Sequence, residues 1–413
     1  MSYLWAYLWT SLRRTCPVSL SPILAVTLLL AIAGCTNPSV PAPGAGGQAA
    51  TPAPAPAPAP GPSNVTTPTG PMIPGATATV GLLVPLTGPN AALGQALTQA
   101  AEMALFDSGN QTTALVVHDT EAPAGPMAAA QAAIGQGANI LLGPVFAAHA
   151  KIVGPVAEVA HVPVVAFTTD VSAAGSGVYV MGILPSLQIE RDVSYASSQG
   201  FKRFAALLPN SPYGHAVADA LGPATARYQA QLAQIEYYDP AAVEFSAVVQ
   251  KLAADGPFDA LLIPEGGARL RSIAPLLGFY NIDTTKVKLL GSALWTDPGL
   301  ATEPALIGAW FASPSSAAWN GFAQRYHTTF GNDPPRLASI AYDAMTMATS
   351  LAKANDFSDT TLSRPDGFTG VDGLFRFGPD GKVQRNLDSV EVQPKGFVLK
   401  DPAPKDFSPV LTN

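Results

Sequence analysis

From Thr77 onward the chain alternates short apolar runs of strand character with longer stretches whose apolar residues recur at helical spacing. The strand-like runs are ATVGLLVPL, TALVVHD, ANILLGP, VPVVAFTT, VYVMGIL, FKRFAALLP, FDALLIP, VKLLGSAL and IGAWFASP. After Asn90, a candidate N-cap, the side chains of Leu93, Leu97, Ala100, Ala101 and Ala104 fall on one helical face. From Ala338, residues Ile340, Ala341, Ala344, Met345, Ala348 and Leu351 do the same. This alternation predicts an α/β fold of parallel sheets covered by helices on both faces, with ligand crevices beyond the carboxyl ends of the strands. Roughly 335 residues are too many for one compact core and suit two lobes. The rhythm breaks near the end, where two strand-like runs, Gly370 to Phe377 and Val383 to Val392, flank Pro379-Asp380-Gly381 and predict a hairpin.

The first 76 residues follow different rules. Arg13 and Arg14 precede an apolar stretch, Val18 to Ala33, which at about 16 residues is short for a spanning helix. Ile32-Ala33-Gly34-Cys35 resembles the bacterial lipobox, which implies a signal peptide over 1–34 and lipidation of Cys35; a retained N-terminal anchor with an incidental cysteine is the alternative. Residues 36–75 hold twelve prolines, including PAPAPAPAP from Pro52. Such a tract cannot bury a core, and with Cys35 it is expected to form a tether over 35–76 that reaches on the order of 100 Å in extended polyproline conformations.

Charge and cysteine count then exclude whole classes. Without residues 1–34 the chain carries 20 basic and 29 acidic residues, a net charge of −9, which argues against nucleic-acid partners. Cys16 and Cys35 are the two cysteines, so the folded part has no thiol for disulfides, Cys-ligated metals or nucleophilic catalysis. The histidines at 118, 149, 161, 215 and 327 lack metal-ligand spacing, and no G-x-S-x-G elbow or G-x-x-x-x-G-K-[ST] loop occurs. Ser350-Leu351-Ala352-Lys353 matches S-x-x-K, but no K-T-G accompanies it and its place near the end of a helix suits ordinary surface residues. No enzymatic activity, metal or cofactor is expected.

Several stretches in order resemble type I periplasmic binding proteins, the branched-chain amino-acid receptor group. They are Thr79 to Gly94, Ile140 to Ala147, Val162 to Thr169, Asn210-Ser211-Pro212-Tyr213-Gly214, Phe330 to Pro334, Ala341-Tyr342-Asp343-Ala344, and Phe368 to Gly373 with Phe377 and Asp380-Gly381. The resemblance spans about 77–395. It implies two Rossmann-like lobes joined by three crossovers around a cleft. Lobe 1 would comprise 77–183 and 316–362, and lobe 2 would comprise 184–315 and 363–400, followed by a tail at 401–413. It also implies cleft-lining roles for Thr87, Phe146, Ala147, Thr168, Thr169, Tyr213 and Glu265. Thr87 and Thr169 would offer hydroxyls, Tyr213 a stacking face, and Glu265 an acceptor for a cationic group.

One departure changes the expectation. Amino-acid receptors of this group place Ser or Thr hydroxyls in the turn after the third strand, where they and helix-start N–H groups hold a carboxylate. Here that turn reads Gly143-Pro144-Val145-Phe146-Ala147-Ala148-His149, with no hydroxyl and one N–H removed by proline. The combination is similar to a neighbouring group, the outer-membrane lipoproteins that activate penicillin-binding proteins. That likeness implies a peptidoglycan synthase as partner and a lipid anchor in the outer membrane facing the periplasm. The alternative it leaves open is the receptor of an ABC permease for a small polar ligand such as an amino acid or amide.

Overall fold

The computed structural model describes residues 75–407, so the expected signal peptide, Cys35 and nearly all of the tether lie outside the described residues. The described residues belong to one compact unit, Thr66–Asn413. In the first lobe, β1 (Ala78–Val84), α1 (Ala91–Asp107), β2 (Thr113–Asp119), α2 (Gly125–Gly135), β3 (Ile140–Leu142), α3 (Ala147–Val159), β4 (Val164–Ala166) and β5 (Val178–Val180) follow one another. The strands form a parallel sheet in the order β2-β1-β3-β4-β5, with Val80 opposite both Leu115 and Ile140. The runs ILL, VVA and VYV of β3, β4 and β5 are buried along their whole length, as strands covered on both faces must be.

The chain then crosses to the second lobe. There α4 (Pro185–Ser198), β6 (Arg203–Pro209), α5 (Pro212–Arg227), β7 (Gln231–Tyr238), α6 (Ser246–Ala254), β8 (Ala260–Leu262), α7 (Gly267–Phe279), β9 (Lys288–Gly291) and β10 (Trp310–Ser313) repeat the same plan. Strand order β7-β6-β8-β9-β10 reproduces that of the first lobe. A second crossover returns the chain as α8 (Ser316–Phe330) and α9 (Ala338–Ala352), and α9 packs along α1 in the first core. The apolar faces expected for α1 and α9 are the buried ones: Leu97, Ala100, Ala101 and Ala104 on α1, and Ile340, Ala341, Ala344, Met345, Ala348 and Leu351 on α9. Asn90 does precede α1, but its side chain makes no capping hydrogen bond.

The end of the chain corrects the expected lobe boundary. β11 (Phe368–Gly370), β12 (Gly373–Phe377) and β13 (Val383–Arg385) form a small antiparallel sheet whose Phe368, Phe375, Phe377 and Val383 belong to the first lobe's core. The backbone N–H of Val180 in β5 bonds the Gly381 carbonyl, joining this sheet to the edge of the first. Only β14 (Asp388–Gln393) and β15 (Gly396–Asp401) add to the second sheet, antiparallel beyond β10. The third crossover therefore lies at Asn386–Asp388 rather than at 362–363, because three aromatic side chains of β11 and β12 find their apolar surroundings in lobe 1. The expected hairpin around Pro379-Asp380-Gly381 exists as β12 and β13, and its second arm stops at Arg385.

Candidate functional site

All seven residues assigned by resemblance lie just past carboxyl ends of parallel strands. Thr87 follows β1; Phe146 and Ala147 follow β3; Thr168 and Thr169 follow β4; Tyr213 follows β6; and Glu265 follows β8. This is the edge where doubly wound sheets form crevices. What each side chain is free to do differs from the expectation.

In lobe 1, Thr87 donates its hydroxyl to Asp119 Oδ2 at 2.7 Å. Asp119 Oδ1 also accepts from the backbone N–H groups of Leu86 at 2.8 Å and Glu121 at 2.9 Å. Partial burial would raise the Asp119 carboxyl, but the Thr87 hydroxyl and these backbone donors hold it below its ordinary value. Asp119 thus clamps the loops after β1 and β2 and consumes the Thr87 proton. Thr168 is buried, and its oxygen accepts from Asp170 N–H at 3.1 Å. Thr169 is exposed. Phe146 is the N-cap of α3, with extended backbone and no side-chain cap, and its ring meets His149 edge-on at 5.4 Å. His149 in turn lies 3.6 Å from Glu121.

In lobe 2, Ser211 caps α5 by accepting from Gly214 N–H at 3.3 Å, which sets Tyr213 in the first turn. Burial pushes the Tyr213 hydroxyl up; the Ser292 hydroxyl opposes this, and Glu265 and Asp192 add to it. Tyr213, Ser292, Glu265 and Asp192 thus form one electrostatic neighbourhood. Glu265 is not a free acceptor. Its Oε2 takes the Tyr238 hydroxyl at 2.5 Å and Arg269 Nη1 at 3.0 Å, while its carbonyl accepts from the buried Trp295 indole at 2.7 Å. Arg269 is further held by the Pro240 carbonyl at 2.8 Å. Burial and the Glu265 carboxylate both raise the Tyr238 hydroxyl, keeping it a donor. The expected acceptor for a cationic ligand is therefore already paired with a cation of the same helix start.

Asp192 on α4 was not anticipated. It is 3 % exposed and its Oδ2 has no hydrogen-bond partner; burial drives its carboxyl well above the ordinary range despite Arg191 and the Ala312 N–H. Nothing local in sequence marks Asp192 or Asp119: Asp119 acts through the pairing of β2 with β1, and Asp192 through the packing of α4 on β10. The Glu265–Arg269 pair did carry a signal, the i,i+4 spacing of opposite charges at a helix start. Replacing Glu265 by alanine is expected to cost about 1–3 kcal/mol, because the Tyr238 hydroxyl and Arg269 lose their shared acceptor. Urea denaturation measures this, and a cost under about 0.5 kcal/mol would show the pair to be idle.

Ser350, the serine of the S-x-x-K stretch, is exposed and donates to its own helix at the Met347 carbonyl, 2.7 Å away. Among the described residues no three His, Cys, Asp or Glu side chains converge as a metal site, and no helix is long and apolar enough to cross a membrane.

Comparison with known proteins fits this two-lobed plan. A family model described as periplasmic binding protein matches residues 77–396. The chain belongs to the periplasmic binding protein family. A branched chain amino acid ABC transporter periplasmic ligand-binding protein from Burkholderia xenovorans LB400 superposes with a TM-score of 0.65 at 16 % identity, covering 79 % of this chain and 96 % of that one. The C-domain of LpoA (YraM) from Haemophilus influenzae, a regulator of PBP1A, superposes with a TM-score of 0.64 at 17 % identity, covering 78 % and 100 %. An uncharacterized protein of Rickettsia prowazekii (strain Madrid E) is 21 % identical over 323 residues, 75 % of this chain and 85 % of its own. The matched residues, 77–396, take in every strand but β15 and all seven strand-end residues.

Proposed function

We propose that this periplasmic binding protein is a non-enzymatic, lipid-anchored regulator of a peptidoglycan synthase of the penicillin-binding protein type, held at the outer membrane and facing the periplasm. The observation that carries this reading is the internal commitment of two of the polar groups expected to bind a solute, Glu265 and Thr87. Glu265 is paired with Arg269, Thr87 is spent on Asp119, and the turn 143–149 offers no hydroxyl. A receptor needs a few convergent polar groups left open for its solute. The similarity to the LpoA C-domain supports the reading at the level of fold. A lipid at Cys35 followed by a proline-rich spacer would let the folded part reach an enzyme anchored in the opposite membrane.

The decisive experiment is reconstitution: purified protein added to the bifunctional peptidoglycan synthase of the same cell should raise its glycan-polymerising or crosslinking rate. An unchanged rate defeats the proposal. Cys35→Ser is expected to move the protein from the membrane to the soluble fraction without altering its fold, and continued membrane retention of that variant would remove the anchor from the reading.

The second reading, a receptor for an ABC permease taking a small polar ligand, draws on the half-buried Tyr213 hydroxyl beside Ser292 and on the similarity to the Burkholderia ligand-binding protein. It requires a solute that raises the thermal midpoint by mass action. A screen of amino acids, amides and peptidoglycan fragments that yields no shift counts against it.

A further inference from the structure

The last described residues do not trail away from the fold. β15 ends at Asp401, whose carboxylate pairs with Arg191 Nη2 at 2.6 Å; the same nitrogen donates to the Asp401 carbonyl at 3.0 Å. Ala403 N–H then donates to Asp388 Oδ1 at 2.7 Å. The Asn386 side-chain amide donates to the carbonyls of both Pro404 and Asp406, each at 2.9 Å. Finally the Arg376 guanidinium lies over the Phe407 ring at 4.3 Å.

These partners span the molecule in order. Arg191 stands on α4 of lobe 2, Asn386 and Asp388 form the third crossover, and Arg376 stands on β12, whose sheet belongs to lobe 1. We propose that residues 401–407 act as a strap laid over the third crossover, which ties lobe 2 to lobe 1 and limits how far the two lobes open. Lobes joined by a few crossover segments move by hinge rotation about those segments. A non-covalent segment bonded on both sides of the hinge opposes opening while intact. It can also peel off locally without unfolding either core, because its contacts are a few exposed or partly buried hydrogen bonds and one ring stack rather than buried apolar area. The strap holds whichever of the two functional readings is true, since it acts on the hinge and not on the cleft's occupant.

The test measures the distance between the lobes. The full chain with Cys16→Ser and Cys35→Ser has no native thiol. Spin labels on Met127→Cys (α2, lobe 1) and Val243→Cys (after β7, lobe 2) then occupy exposed positions on either lobe, away from the strap. In pulsed electron resonance, truncation after Pro402 should broaden the inter-label distribution and shift it to longer distances. The paired substitution Arg376→Ala with Asn386→Ala should shift it in the same direction by less. An unchanged or shortened distribution in a folded truncated chain overturns the strap, as does a lowered thermal midpoint with no change in distance. If the truncated chain does not fold, the paired substitution decides by the same criteria.

Discussion

Replacing Asp343 by alanine is expected to cost about 3–5 kcal/mol, the range for breaking a buried ion pair from one side. Asp343 sits on α9 and reaches the turn between β11 and β12. Its two oxygens accept from Val371 N–H at 2.6 Å and Asp372 N–H at 3.0 Å, and Arg385 Nη1 lies 3.5 Å from the second. The side chains of Asp343 and Arg385 are both fully buried. Arg385 already leaves Nε and Nη2 without partners and rests against the Phe375 ring, so loss of Asp343 would strand a buried cation beside two unpaired N–H groups. Asp372 completes the cluster, taking Arg336 at 2.5 Å and the Ser339 hydroxyl at 2.7 Å. Urea denaturation of Asp343→Ala at pH 8, where the folded Asp343 carboxyl is ionised, gives the cost directly. The double variant Asp343→Asn with Arg385→Met should be less damaged than the single alanine, because no charge is then left uncompensated. A cost below about 1 kcal/mol for the alanine variant would refute the clamp.

The same residue gives the fold a pH dependence of definite sign. Burial first, and then the Asp372 carboxylate, push Asp343 from its ordinary 3.8 up to about 7, against the pull of Arg385 and the two backbone donors. A carboxyl whose folded pKa is raised binds its proton more tightly in the native state. Its contribution to stability is therefore complete below about 3.8 and is lost as pH rises through about 7. Stability of the wild-type chain should fall between about pH 4 and pH 7, and Asp343→Asn, which cannot ionise, should flatten that slope. Equal slopes for the two proteins would place the dependence elsewhere.

The stretch Ala341-Tyr342-Asp343-Ala344 and the later Gly370-Val371-Asp372-Gly373 were legible as family-like segments, but sequence alone could not show that they touch each other. The same limit runs through the fold. Nine apolar runs mark nine of the parallel strands, because strands buried on both faces need continuous apolar residues. The tenth, β7, escaped: at the sheet edge its QLAQIEYY buries only Glu236 and Tyr238 fully. β15 escaped for the same reason, since Val398 and Leu399 of its GFVLKD are about half exposed. The run Val383 to Val392 reads as one strand, yet it divides between two sheets, and periodicity carries no information about which sheet a strand joins. At the candidate site the strand-end positions were readable, whereas the partners that occupy Thr87 and Glu265 come from 32 and 27 residues away, apart from Arg269.

Gly214→Ala and Gly94→Ala are each expected to destabilise the protein by about 3 kcal/mol or more, at the upper end for overpacking. Each glycine stands in the helix that follows the first strand of its lobe, α1 after β1 and α5 after β6, where the chain turns back over that strand. A Cβ on Gly94 would lie 1.8 Å from the Pro85 carbonyl oxygen, and one on Gly214 would lie 1.9 Å from that of Pro209. A backbone oxygen at the end of a buried strand cannot swing aside as a flexible side chain would, so helix or strand must shift. Gly222 supplies the control within the same helix as Gly214: a Cβ there meets nothing within 4 Å, and Gly222→Ala should stabilise by about 0.4–1 kcal/mol. Urea midpoints of the three variants distinguish close backbone approach from a general intolerance of the helix. If Gly214→Ala and Gly222→Ala behave alike, the close approach is not what demands glycine. The equivalence of Gly94 and Gly214 also bears on function. Two lobes that share strand order and the same helix-on-strand contact use Gly94 and Gly214 for architecture rather than for recognition.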